Sequence, residues 1–263
     1  MPINYKLADN TKPQVSLLMM ATAVSVGIWV VSWFLPIAAY VVYPLQLFAT
    51  FIHESSHALA ALVTGNAVMS LTVSPDTSGA VWSQVSGISA LFISSAGYLG
   101  TTAFGTLLLV WMRFSWSSRL ALYFSAGLIA IMTIAFGFLA PFWNLLANVT
   151  FLSVVFTVFS GTVLAVGLAA IAKFASVKWV NFALAFLAVQ CLLNAIFSLR
   201  DLFFISAAGT QQSDAANMAM ATGIPSLIWV VLWIVISLVM ITVGVRLYAV
   251  SKGKTSSDSL FVD

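Results

Sequence analysis

Charged side chains are nearly missing from this chain: they make up 6% of its 263 residues, whereas 62% are hydrophobic. A soluble domain carries about 25% charged residues, so a water-exposed globular fold is excluded and the composition is that of an integral membrane protein. Cysteine is limited to Cys191, which rules out any disulfide within the chain and reads as a small buried hydrophobe in its apolar run. Acidic residues number seven and histidines two, and no stretch is polar enough for a large soluble domain. The net charge of +3 does not call for nucleic acid, because lysine and arginine gather at the ends of apolar runs, where they set orientation in a lipid bilayer.

Apolar runs recur along the whole chain at lengths that cross a hydrocarbon core of about 30 Å as helices. The expected fold is all-α and polytopic, with about seven transmembrane helices near 16–35, 37–63, 88–112, 119–139, 145–172, 179–206 and 224–249. Residues 1–15 read as an N-terminal tail, 16–250 as one membrane domain and 251–263 as a disordered tail. Pro36, Pro141 and Pro225 fall at expected breaks. Between the second and third spans, alternating β-branched residues around Ser74-Pro75-Asp76-Thr77-Ser78-Gly79 predict a short β-hairpin over about 66–85. Ser213 or Asp214 is placed to cap a short helix after the sixth span. Ala96 with Gly100, and Thr101 with Gly105, stand at the spacing that lets helices pack closely. Arg113, Arg119, Lys173, Lys178, Arg246, Lys252 and Lys254 fall on one side of this topology and Lys6 and Lys12 on the other, which makes the first side cytoplasmic.

Against this background one stretch stands out. "FIHESSHALAAL" holds both histidines, His53 and His57, and the only glutamate, Glu54. Four residues apart on a helix, the imidazoles share a face and can hold one metal ion. Glu54 beside them can take the proton of a metal-activated water, the chemistry of the His-Glu-x-x-His pattern. A carboxylate inside a spanning helix costs about 2.5–3.5 kcal/mol to insert, which packing alone does not repay. With no further Glu or His available, the third ligand must be an aspartate. Asp9, Asp258 and Asp263 lie in the tails, leaving Asp76, Asp201 and Asp214. Counted along the helices, His57 lies roughly 10 Å and Asp201 roughly 8 Å from the same side of the membrane. Depth therefore favours Asp201, with Asp214 as the alternative. Asp201 and Arg200, about 100° apart around a helix, are not expected to pair strongly.

These residues resemble the site-2 protease family of intramembrane zinc metalloproteases, and more closely its bacterial peptidase M50B-like branch. The resemblance is carried by "FIHESSHALAALVTGN", "VSPDTSGAV", "AGYLG" and "SLRDLFFIS…QQSDAANMAMATGIPSLIW". It implies a zinc (Zn2+) peptidase that cleaves membrane-embedded or membrane-proximal proteins, seated in a bacterial cytoplasmic membrane. In that family an Asn and an Asp of a later span position substrate and complete the metal site. Asn194 and Asp201 resemble them, although the proline and glycine of the family pattern are missing and the spacing is one residue shorter. The family places its metal nearer the cytosol, whereas the basic-residue count places it nearer the outside. A metal-ion transporter would string polar residues across the membrane, and a non-catalytic scaffold of the same fold would be marked by a broken motif. The oligomeric state is not encoded in any motif.

Overall fold

Inside a bilayer each segment must satisfy its own backbone hydrogen bonds, so long apolar runs close into helices. The computed structural model describes residues 12–85, 87–112, 117–144, 149–209 and 213–249. The tail expected at 251–263 and most of the tail at 1–15 lie outside these. In chain order come α1 (Lys12–Phe34), α2 (Ala39–Val63), β1 (Val68–Val73), β2 (Gly79–Ser83), α3 (Ser89–Trp111), α4 (Ser118–Met132), α5 (Ala140–Trp143), α6 (Phe151–Phe174), α7 (Val177–Ala208), α8 (Asp214–Thr222) and α9 (Ser226–Ala249).

Among the described residues six segments are long and apolar enough to span a membrane: Val15–Ser32, Ser89–Trp111, Ser118–Trp143, Phe151–Phe174, Val177–Ala208 and Ser226–Tyr248. The chain is therefore an all-α, multi-pass membrane protein with one small hairpin. The expected seventh span, α2, has the length but is diluted by Gln46, Thr50, His53, Glu54, Ser55, Ser56 and His57. Its middle is enclosed by protein: Phe48, Phe51, Ile52, Ala58 and Ala61 are buried, and α3, α7 and the hairpin pack around them, while Tyr40, Val41, Leu59, Leu62 and Val63 are exposed. The stretch expected to break at Pro141 continues through a π-helical turn, Thr133–Leu139, into α5. Pro141 comes just after the π-helical turn, and the stretch ends two residues later at Trp143.

Glycine contacts set the spacing of the central helices. Gly100 of α3 leaves no room for a Cβ against Ser56 of α2, and a Cβ added at Gly105 would lie about 3 Å from Cys191 and Leu192 of α7. The close packing expected of these positions is present on two faces of α3.

The hairpin forms over Val68–Ser83, antiparallel, with Leu71 opposite Val81 and Val73 opposite Gly79. Asp76 closes its turn by accepting from the Ser78 hydroxyl (2.6 Å) and amide (3.0 Å), and these bonds hold its carboxyl below its ordinary value. β1 is buried and tied to α6: the Val73 amide donates to Thr157 Oγ1 at 2.8 Å, and the same hydroxyl approaches Val73 O at 3.2 Å. Among the described residues β2 is paired only with β1, so its other edge is open. Thr157→Val should destabilise the protein by about 1–3 kcal/mol, because the isosteric change strands the buried Val73 amide. Thermal unfolding in detergent measures this, and an unchanged midpoint would show that α6 does not anchor the hairpin through this bond.

Candidate metal centre

α2 presents His53 and His57 one turn apart on the face toward α3. The His57 ring is fixed by Nδ1, which lies 2.6 Å from the carbonyl oxygen of Ile93. A carbonyl only accepts, so Nδ1 carries the proton and the Nε2 lone pair of a neutral His57 is left facing inward. That atom is 3.0 Å from His53 Nε2 and 3.2 Å from Asp214 Oδ2, while His53 Nε2 is 3.4 Å from the same oxygen.

Asp214 reaches this position through the local structure of the α7–α9 connection. α7 ends at Gly209 in the left-handed conformation (φ 70°), and Ser213 caps α8 by accepting from the Ala216 amide at 3.2 Å. Ala215 and Met218 are buried with Leu199, Leu202, Val230 and Trp233, which seats α8 on α7 and α9. Asp214, in the first turn, then points at the imidazoles. Burial alone would raise its carboxyl, but the His57 and His53 imidazoles, when protonated, outweigh burial and hold it below its ordinary value.

Sequence depth favours Asp201, whereas the structure brings the alternative, Asp214, to the two imidazoles and leaves Asp201 outside the triangle. Asp201 Oδ1 accepts from Arg200 Nε at 3.0 Å and Nη2 at 2.7 Å, and its side chain is 58% exposed. The long guanidinium arm bends around the helix and makes the pairing that the 100° offset argued against. Asp201 stays on the rim of the cavity. Asn194 lines the same cavity and makes no hydrogen bond among the described residues.

Three lone-pair donors facing one another at such distances repel unless a cation sits between them. Ligands about 2.0–2.1 Å from a tetrahedral zinc ion stand about 3.3 Å apart, close to the three separations here. The His53, His57 and Asp214 donor atoms all lie within 4.8 Å of one another. Gly97 supplies a second sign of fit: a Cβ there would press on both Nε2 atoms, so the missing side chain keeps a space open beside the triangle. The residues present therefore fit zinc. In the sequence the Gly97 segment, "AGYLG", stands out for helix packing and for the family resemblance, and neither assigns Gly97 itself to the histidines.

Glu54 is 5% exposed and stands beneath Gly79 of β2, where an added Cβ would lie 2.5 Å from Oε1. All of these groups open into a cavity of about 1040 Å³. Its walls are the C-terminal halves of α2 and α7, the N-terminal half of α3, β2 and α8. The basic residues Arg119, Lys173, Lys178 and Arg246 lie at the other helix ends, where Arg119 donates to the last carbonyls of α6, including Ala175 O at 2.8 Å.

No curated protein and no solved structure matches the chain. The family model described as "Peptidase M50B-like" matches residues 17–244, nearly the whole membrane domain. With its two histidines, its glutamate and its multi-pass helical fold in place, the chain belongs to the peptidase M50B-like family of membrane metallopeptidases.

Proposed function

We propose that the protein is a zinc peptidase that hydrolyses a peptide bond of a membrane-embedded or membrane-proximal protein substrate, in a bacterial cytoplasmic membrane. The observation that carries this reading is the triangle of His53, His57 and Asp214 with Glu54 on the next helix position. His53 Nε2, His57 Nε2 and an Asp214 oxygen would hold the ion. Zinc bound there supplies Lewis acidity, which acidifies water and polarises a carbonyl. Glu54 accepts the water proton and later passes it to the leaving amine. The Ile93 carbonyl keeps His57 in the tautomer that ligates. The open edge of β2 and the Asn194 amide are placed to hold an unwound stretch of substrate between two walls of the cavity. A helical substrate must unwind first, because its carbonyls are spent in its own hydrogen bonds. With Arg119, Lys173, Lys178 and Arg246 at the far helix ends and Arg200 near the cavity rim, the positive-inside rule favours a cavity on the side away from the cytoplasm.

The test is zinc content and cleavage of a single-span substrate in proteoliposomes. Wild type should hold about one zinc per chain and cleave. Gly97→Ala should fall to background in both, because the methyl group enters the space beside the ligand atoms. Gly127→Ala, whose Cβ would meet nothing within 4 Å, is the control for helix substitution. Full zinc in Gly97→Ala would place any metal elsewhere.

A further inference from the structure

Tyr98 follows Gly97 on α3, and its ring is held between two other rings. It makes a T-shaped contact with the His53 ring, with centroids 4.6 Å apart and planes at 86°. It also stacks on Trp233 of α9, at 5.6 Å and 21°. Trp233 is itself immobilised, 1% exposed and donating Nε1–H to Ser95 Oγ at 3.1 Å. Phenylalanine would fill this sandwich equally well. The hydroxyl is therefore the part of the residue that packing leaves unexplained.

That hydroxyl belongs to a side chain lining the catalytic cavity, and it makes no hydrogen bond among the described residues. It lies within electrostatic reach of the carboxylates of Asp214, Glu54 and Asp201. Glu54 borders the imidazole pair from the hairpin side, beneath Gly79, whereas Tyr98 borders it from the α9 side. A phenol with an ordinary value near 10 carries its proton at neutral pH and can donate. An unspent donor held rigidly beside the candidate metal ligands is suited to charge that appears only during the reaction.

Resting on the peptidase reading above, we propose that Tyr98 is a catalytic residue whose phenolic O–H donates a hydrogen bond to the carbonyl oxygen of the scissile peptide. As the water oxygen forms its bond to the carbonyl carbon, Glu54 takes the water proton and the carbonyl π pair moves onto oxygen. Tyr98 bonds to that oxygen without giving up its proton. When the pair returns to re-form the carbonyl, the C–N bond breaks, its electrons stay on nitrogen, and the Glu54 proton goes to the departing amine. Water, peptide, acid and amine balance with no further reactant.

The experiment compares wild type, Tyr98→Phe and Tyr98→Leu for zinc content, for kcat and KM on a single-span substrate, and for the Kd of a phosphinic peptide. The phosphinate is a stable tetrahedral mimic of the attacked carbonyl. In Tyr98→Phe, zinc should equal wild type, KM should stay within about twofold, and kcat should fall by about 10²–10³-fold, the loss typical of one oxyanion donor. Phosphinate affinity should fall in parallel, without any turnover being needed. Tyr98→Leu, which also removes the buttress on His53, should lose zinc besides. An active wild type with unchanged kcat and phosphinate Kd in Tyr98→Phe would overturn the proposal while leaving the peptidase reading intact. Loss of zinc in Tyr98→Phe would reduce the residue to a support for His53 and also overturn it. A wild type that binds neither zinc nor phosphinate and cleaves nothing would overturn both readings.

Discussion

Glu54→Gln is expected to lower peptide hydrolysis by about 10²–10⁴-fold, the range for loss of a general base, with zinc content unchanged. The substitution preserves size where size matters, because the side chain is wedged beneath Gly79 with no spare room. It removes none of the three converging donor atoms, which come from His53, His57 and Asp214. What it removes is the proton acceptor, since a neutral amide cannot take a proton from water at neutral pH. Stability should hold or rise. A carboxylate that is 5% exposed inside a helical bundle is costly to bury, and Glu54 has no ion-pair partner among the described residues to offset that cost. Unfolding midpoint, zinc content and turnover measured on the same preparation separate the two effects. Turnover close to wild type would remove Glu54 from the mechanism, and zinc loss would mean that its role is structural.

Local periodicity explains why part of this site is legible in the sequence. His53, Glu54 and His57 are positioned by one helix, and helix geometry is the most regular relation a sequence encodes. The hairpin is legible for a similar reason, since its alternation and turn residues are contiguous. The π-helical turn at Thr133–Leu139 is not, because it answers to packing against β1 and α6 and no residue type in it demands the extra width. The apolar length of α2 places it in the count of spans, while its polar residues Glu54, Ser55 and His57 are buried in the protein. The stretch that holds Gly97 and Tyr98 is legible as part of the family resemblance, but what the two residues face across the helix interfaces is not, because periodicity on α3 alone does not reveal it.

The third ligand shows the same limit, and it yields the sharpest pair of variants. Depth along α7 places Asp201 level with His57, but depth carries no information about azimuth or about a connection that folds back. Ser213, Ala215 and Met218 turn α8 over the cavity and deliver Asp214 to within 3.4 Å of both imidazoles, whereas Asp201 is held on the rim by Arg200. Asp214→Asn should therefore strip zinc to background, because an amide is a far weaker ligand than a carboxylate and two imidazoles hold zinc poorly alone. The Ser213 cap is untouched, so α8 should stay folded. Asp201→Asn should keep zinc at the wild-type level. Its exposed pair with Arg200 contributes on the order of 0–1 kcal/mol, so stability should change little. Metal analysis of both variants, with helicity checked by circular dichroism, decides the assignment. Zinc retained in Asp214→Asn and lost in Asp201→Asn would mean that α7, not α8, completes the centre, and that the α8 carboxylate faces substrate instead.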